Sequence, residues 1–275
     1  MSQALTDRAA LARQRARAAR NPALFLQEAA ADDVQERLIE VNRAFTSPAV
    51  VTPWPDLWAA RLPGAKLIPD RETLDLTEGS HDLVIHALSL HWADDPLGQI
   101  IQCARALKPD GLFIATFFGG ETLATLRAAL AEAEAAVTGG ASPRVLPMAE
   151  VRQAGALLQR AGLALPVADL TPLPVSYPSA LALMGDLRAM GEGNALAQRL
   201  RRPTRREVFA RAAALLQAGA DDEGRITARF ELITLTAWAP APDQPQPLRP
   251  GSATTRLEDA LREARNAAPK DRPDN

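Results

Sequence analysis

The sequence predicts an α/β domain in which parallel strands are followed by a final strand pair with helices inserted between its members. Three observations predict it. From about residue 49, short apolar runs alternate with helical patterns. Two of those runs, D-L-V-I-H-A-L at 82–88 and L-F-I-A-T-F-F at 112–118, are continuous and too short for helices, as buried parallel strands are. A third run, Ile226–Trp238, begins as a strict alternation, with Ile226, Ala228, Phe230 and Leu232 on one face and Thr227, Arg229 and Glu231 on the other.

Residues 1–48 read as an N-terminal helical region, residues 49–239 as the main domain, and residues 240–275 as a flexible tail. Strands are predicted at 49–52, 65–69 and 82–88, then a helix at 96–107 that Lys108-Pro109-Asp110-Gly111 ends in a turn. After the strand at 112–118 comes a helix whose stripe is Leu123, Leu126, Leu130, Ala133 and Val137. A loop with Gly139, Gly140, Pro143 and Pro147 leads to a helix at 151–161, which Gly162 can terminate in the left-handed conformation. Residues 167–175 are strand-like, but Pro172 and Pro174 suit only an edge. Residues 179–218 hold two helical patterns separated by Gly191, Gly193 and Pro203. The tail is proline-rich and polar, with one weak helix near 255–265.

Composition excludes several classes. At 47% hydrophobic residues over 275 positions the chain has material for a core and is not wholly disordered. A net charge of −2 provides no global field for nucleic acid or membrane, and no apolar run reaches a bilayer span. One cysteine, Cys103 in an apolar helical stretch, points to a reducing compartment, read as the cytoplasm, and to a buried structural thiol. Lysine occurs only at Lys66, Lys108 and Lys270 among 31 basic residues, a compositional bias. Arg8, Arg13, Arg15, Arg17 and Arg20 imitate a transit peptide, but read as a solvated basic face of the first helix. His81, His86 and His91 are spaced by five, which suits neither a helix face nor a strand face. No metal site is expected.

The strand and helix order is that of class I methyltransferases, in which the last strand enters the sheet antiparallel. The stretch D-L-V-I-H-A-L-S-L-H-W-A-D-D-P, followed by L-K-P-D-G-L-F-I-A-T-F-F-G-G-E-T-L, resembles the arginine hydroxylases that assist complex I assembly and their bacterial relatives. More distantly it is similar to the malonyl-carrier-protein methyltransferases of biotin synthesis. The likeness continues through G-G-A-S-P-R at 139–144, V-S-Y-P at 175–178 and D-L-R-A-M-G-E-G-N at 186–194, and covers about residues 5–239.

The resemblance implies a Rossmann-like sheet, S-adenosylmethionine as cofactor, and a protein, carrier-bound or respiratory-complex substrate. On the cofactor side it implicates Thr52, Asp70, His86 and Ala87. There the sequence departs from the family. The first strand should enter a glycine-rich loop, yet residues 49–56 (A-V-V-T-P-W-P-D) hold no glycine, two prolines and an indole. Asp70 sits where a ribose-binding acid is expected, and a helix or turn cap explains it equally. Only residues 71–81 separate the second strand from that at 82, so the usual helix and third strand hardly fit, and 74–76 is at most a vestige of that strand.

On the substrate side the resemblance implicates His91, Glu121, Tyr177, Arg188, Glu192 and Asn194. His91 reads as a proton carrier, as a cap of the next helix, or as a packing residue under the helical insertion at 179–218, which would form a lid. Glu121 either meets a basic substrate or favours a helix N-terminus through its dipole. No catalytic step is assigned to any residue. Two functions stay open: an S-adenosylmethionine-dependent modifying enzyme, or a cofactor-deficient binding or assembly factor. In the second case the tail segment P-L-R-P-G-S-A-T-T-R-L-E-D-A-L is a candidate docking peptide.

Overall fold

The computed structural model describes residues 4–242 and 244. Residues Met1–Pro240 form one compact unit and Ala241–Asn275 a second; every helix and strand described belongs to the first. The tail helix expected near 255–265 and the candidate docking peptide lie outside the described residues.

Two helices, α1 (Arg8–Ala18) and α2 (Phe25–Val41), precede strand β1 (Pro48–Val51). Helix α3 (Pro55–Arg61), β2 (Lys66–Ile68), β3 (His81–Ala87), α4 (Pro96–Ala106) and β4 (Leu107–Phe118) follow. Then come α5 (Ala124–Thr138), α6 (Val151–Arg160), β5 (Ala164–Tyr177), α7 (Ala180–Ala189), α8 (Arg206–Gln217) and β6 (Ile226–Trp238). The sheet has six strands in the order β2-β1-β3-β4-β6-β5. Strands β1 to β4 pair in parallel, and β6 is antiparallel to both β4 and β5. The last strand therefore enters as the sequence predicts, with α7 and α8 inserted before it.

The pleat divides the core. Val51, Val84, Phe113 and Ala115 face one side, against α4 and α6, while Val50, Leu83, Ile85 and Ile114 face the other, against α2 and α3. Burial on both faces explains why β3 and the second half of β4 read as unbroken apolar runs. A third cluster joins α5, α7 and α8 to Phe230 and Leu232 of β6. Local signals set the ends: Asp95 accepts from Gly98 N ahead of Pro96, and Gly139 closes α5 at φ +78°. Pro172 and Pro174 lie exposed on β5, which pairs only with β6, so their missing amides fall on an edge.

Four expectations are corrected. Lys108-Pro109-Asp110-Gly111 is no turn: it bulges within β4, where Leu107 pairs with His81 and Leu112 with Leu83, and Asp110 takes φ +60°. Residues 74–76 form no strand. Leu74 is instead buried, its amide donating to Gln102 Oε1 at 2.8 Å, and β2 is the sheet edge. Glu231 is buried despite its polar register, because its Oε2 accepts from Glu121 N at 2.8 Å and secures the turn after β4. Finally, the N-terminal arginines are not one solvated face: Arg13, Arg17 and Arg20 are exposed, but Arg8 and Arg15 turn inward.

Candidate functional site

In an open parallel sheet, ligands bind beyond the carboxyl ends of the strands. Two of the cavities there carry the residues singled out by the sequence, one over β1 and β2, the other beyond β4.

The first is an open cleft of about 950 Å³ bordered by Thr52, Pro53, Asp70 and, from α1, Arg8, Leu11 and Arg15. Thr52 is buried; its Oγ1 accepts from Trp54 N at 3.0 Å and its amide donates to Ile68 O at 2.9 Å. The segment thus folds back on itself and buries Trp54 before α3 begins at Pro55. Asp70 faces α1. Its Oδ2 lies 2.6 Å from Arg15 Nη1 and 3.6 Å from Arg8 Nη1, and Arg8 also donates to the Asp70 carbonyl at 3.3 Å.

Helix α1 is fastened at its other end and side. Asp94 Oδ1 accepts from the amides of Leu5 and Thr6, and Asp7 both caps α1 and pairs with Arg199 at 2.9 Å. Gly191 and Gly193 admit the helix: a Cβ at Gly191 would lie 3.2 Å from Arg15 Cα, and one at Gly193 only 2.1 Å from Gln14 Oε1. As arranged, this cleft does not fit the cofactor that the resemblance implies. It lacks a glycine cradle, and the acid expected to hold the ribose is engaged by two guanidinium groups.

His86 and Ala87 end β3 with no exposed surface and border neither cavity. His86 Nε2 bonds Gln99 Oε1 at 2.7 Å, and Gln99 Nε2 in turn donates to Arg71 O. Burial outweighs that hydrogen bond and holds the imidazole pKa down to about 4. Its role in the fold is that of a neutral core group.

The second cavity, about 410 Å³, brings together His91, Arg188, Glu192 and Asn194. Glu121 is exposed outside it, and Tyr177 packs under α7, where burial and then the Asp186 charge push the phenol pKa upward. Glu192 Oε2 accepts from Trp92 Nε1 at 2.6 Å and faces His91 Nε2 at 3.1 Å. Burial raises the Glu192 pKa, but the His91 charge and hydrogen bond, Arg15 and the Trp92 N–H outweigh it and leave the carboxyl below its usual value. The cavity wall is mostly apolar, built from Phe118, Leu126, Leu130, Met184 and Phe230. Sequence reasoning missed these wall residues and Trp92; the 3.6-residue stripe of α5 was the signal for Leu126 and Leu130.

It also missed Glu134. This buried carboxylate accepts from Arg144 Nη2 at 2.6 Å and Nε at 2.9 Å, and from Ser142 N at 2.9 Å. The Arg144 hydrogen bond is the main cause that holds its pKa down to about 2. Among the described residues no group of three His, Cys, Asp or Glu side chains converges as a metal site requires, and no helix is long and apolar enough to cross a membrane.

The His86 and Glu134 shifts set an acid response. The unfolded chain protonates His86 near pH 6.5, the folded protein only near 4, so stability falls as pH drops through that window. Glu134 adds a second loss as pH falls from 4.5 towards 2. Thermal unfolding followed by circular dichroism is expected to show a midpoint that declines from about pH 6.5 downward. In His86→Gln the decline should begin only near pH 4.5, where Glu134 starts to contribute.

The profile of the methyltransferase domain family matches residues 47–115. The mitochondrial arginine-hydroxylase NDUFAF5 of Danio rerio is 35% identical over 198 residues, covering 72% of this chain and 62% of that protein. The Homo sapiens protein of the same name is 36% identical, covering 70% of this chain and 56% of its own length. A malonyl-[acyl-carrier protein] O-methyltransferase of Xylella fastidiosa is 33% identical, covering 65% and 58%. The chain thus spans less than two thirds of the length of these relatives. Among solved structures, a Bacillus halodurans methyltransferase matches at TM-score 0.45 and 13% identity, covering 75% of this chain and 98% of that one. With parallel strands ending in an antiparallel β6, a match to the methyltransferase domain over residues 47–115 and 33–36% identity to these relatives, the chain is similar to the class I methyltransferases.

Proposed function

We propose that this protein uses S-adenosylmethionine to modify a protein or carrier-bound substrate, in connection with respiratory complex I assembly. The observation that carries the reading is the pairing of two cavities at the carboxyl end of one sheet. One holds Asp70 over β1 and β2; the other is an apolar chamber with His91 and Glu192 beyond β4. The relatives' names support a protein arginine or a carrier-bound acyl group as target. A cytoplasmic location belongs to the same reading and is supported by the single cysteine, which is buried and unpaired. Cofactor entry requires α1 to release Asp70.

The contacts of Asp70 favour a second reading, a cofactor-deficient binding or assembly factor in which Arg8 and Arg15 fill the ribose position permanently. Calorimetric titration of the full chain with S-adenosylmethionine separates the two. Micromolar binding that Asp70→Asn abolishes is the expected result. Silence at millimolar ligand overturns the enzymatic reading and leaves the binding module.

A further inference from the structure

Residues 199–206 read R-L-R-R-P-T-R-R, five arginines in eight positions and no acid, in a chain whose net charge is −2. Two of the five are answered within the fold. Asp7 Oδ2 lies 2.9 Å from Arg199 Nη2 and 3.5 Å from Arg201 Nη2. The side chains of Arg202, Arg205 and Arg206 are exposed and make no hydrogen bond or ion pair among the described residues. Arg205 is the N-cap of α8 and Arg206 its first residue, with Glu207 the one acid of that turn. A helix is positive at this end, so guanidinium groups there have the unfavourable sign. Sequences break such local rules chiefly at functional sites, and an anion would restore the balance here.

Arg202 and Arg205 border a cavity of about 350 Å³ between the end of α5 and the start of α8, together with Arg144 and Thr204. Glu134 is its one carboxylate, already bonded by Arg144 and Ser142, so three guanidinium groups face one spent acid. Thr204 Oγ1 accepts from Arg144 Nη1 at 3.0 Å, which leaves the hydroxyl hydrogen to donate. Thr138 donates to Glu134 O and is engaged. A ligand therefore meets donors: two guanidinium forks and a hydroxyl.

This wall repels a cation and gives an apolar body little to pack on. A carboxylate brings one charge and two oxygens, whereas a phosphate monoester brings about two charges and three acceptor oxygens. A bilayer surface is the poorer match, because amphipathic membrane contacts pair basic residues with apolar anchors. No large hydrophobic residue is exposed between residues 199 and 211.

We propose that this cavity binds the phosphate of a soluble phosphate monoester, with Arg202 and Arg205 holding its oxygens and the Thr204 hydroxyl as a third donor. The site is independent of the proposed function, although Arg144 borders both this cavity and the chamber beyond β4.

Propyl phosphate and propyl sulfate share a shape, but at about pH 8 the phosphate carries nearly two charges and the sulfate one. In calorimetric titrations of the full chain, propyl phosphate is expected to bind about fivefold more tightly than the sulfate. Arg202→Gln/Arg205→Gln should weaken the phosphate ester by about tenfold or more. Arg152→Gln/Arg160→Gln removes the same charge from exposed positions on α6 and should change the affinity by less than about twofold. Equal losses in the two double variants would reduce the effect to net charge and overturn the proposal. Equal affinity for the sulfate, or no binding of propyl phosphate, would overturn it too. Should the cavity variant fail to fold, Thr204→Val keeps every charge and must still weaken the ester by about threefold; unchanged affinity there overturns the proposal. Sedimentation with phosphatidic acid vesicles tests the lipid source. Capture by vesicles without binding of propyl phosphate would assign these arginines to a bilayer surface and overturn the soluble ligand.

Discussion

Arg144→Met is expected to destabilise the protein by about 3–5 kcal/mol, because it strands a buried carboxylate. Glu134 is only 5% exposed and Arg144 12%, and the guanidinium supplies two of the hydrogen bonds to the carboxylate. Arg144 Nη1 also donates to Thr204 Oγ1 at 3.0 Å, so the residue ties the 139–146 loop to the segment before α8. Without it, Glu134 retains only Ser142 in a wall formed by α5 and α8. Urea denaturation measures the loss. The double variant Glu134→Gln/Arg144→Met should recover much of it, since removing both charges leaves no orphan. A single-variant loss under about 1 kcal/mol would show that the pair behaves as an exposed surface bridge.

Asp70→Ala is the second large effect, expected at about 3 kcal/mol in the absence of any ligand. An acid kept only for a cofactor would be nearly silent in the free protein, as surface substitutions generally are. Here Asp70 is 11% exposed and Arg15 12%, and the pair anchors α1 to the end of β2. Loss of the carboxylate leaves Arg15 half-buried beside Gly191 with its principal partner gone. Chemical denaturation of Asp70→Ala, and of Asp70→Ala/Arg15→Ala, checks this. The double variant should lie closer to the unaltered protein than the single one does.

These two ion pairs mark the boundary of what the sequence discloses. The strands at 82–88 and 112–118 were legible because burial on both faces leaves an unbroken apolar run, which is a local property. The α5 stripe, the Gly162 stop and the proline-marked edge of β5 were legible for the same reason. Lys108-Pro109-Asp110-Gly111 misled because turn residues also build bulges, and only the register against β3 distinguishes them. Glu231 followed its alternation yet is buried, because a backbone amide at Glu121 needs its carboxylate. Asp70 was recognised as a position, but its partner Arg15 lies 55 residues away, and Glu192 lies 101 residues from His91. No periodicity reports such pairings.

The missing glycines at 49–56 were visible in the sequence, whereas only the structure shows Arg8 and Arg15 of α1 engaging Asp70. Helix α1 bridges both cavities: Arg15 holds Asp70 on one side, and Gln14 donates to Asn194 O at 2.9 Å on the other. Movement of α1 would therefore alter the cleft over β1 and β2 and the wall of the chamber beyond β4 together. A ligand that binds only the released form binds more weakly by the fraction of that form present.

The most direct measurement is the affinity of S-adenosylmethionine for the unaltered chain and for Arg8→Ala/Arg15→Ala, by calorimetry under identical conditions. If α1 competes for Asp70, removing its two guanidinium groups tightens binding by about tenfold or more. Unchanged or weaker binding in the double variant would contradict this, and would make α1 part of the cofactor site rather than its competitor.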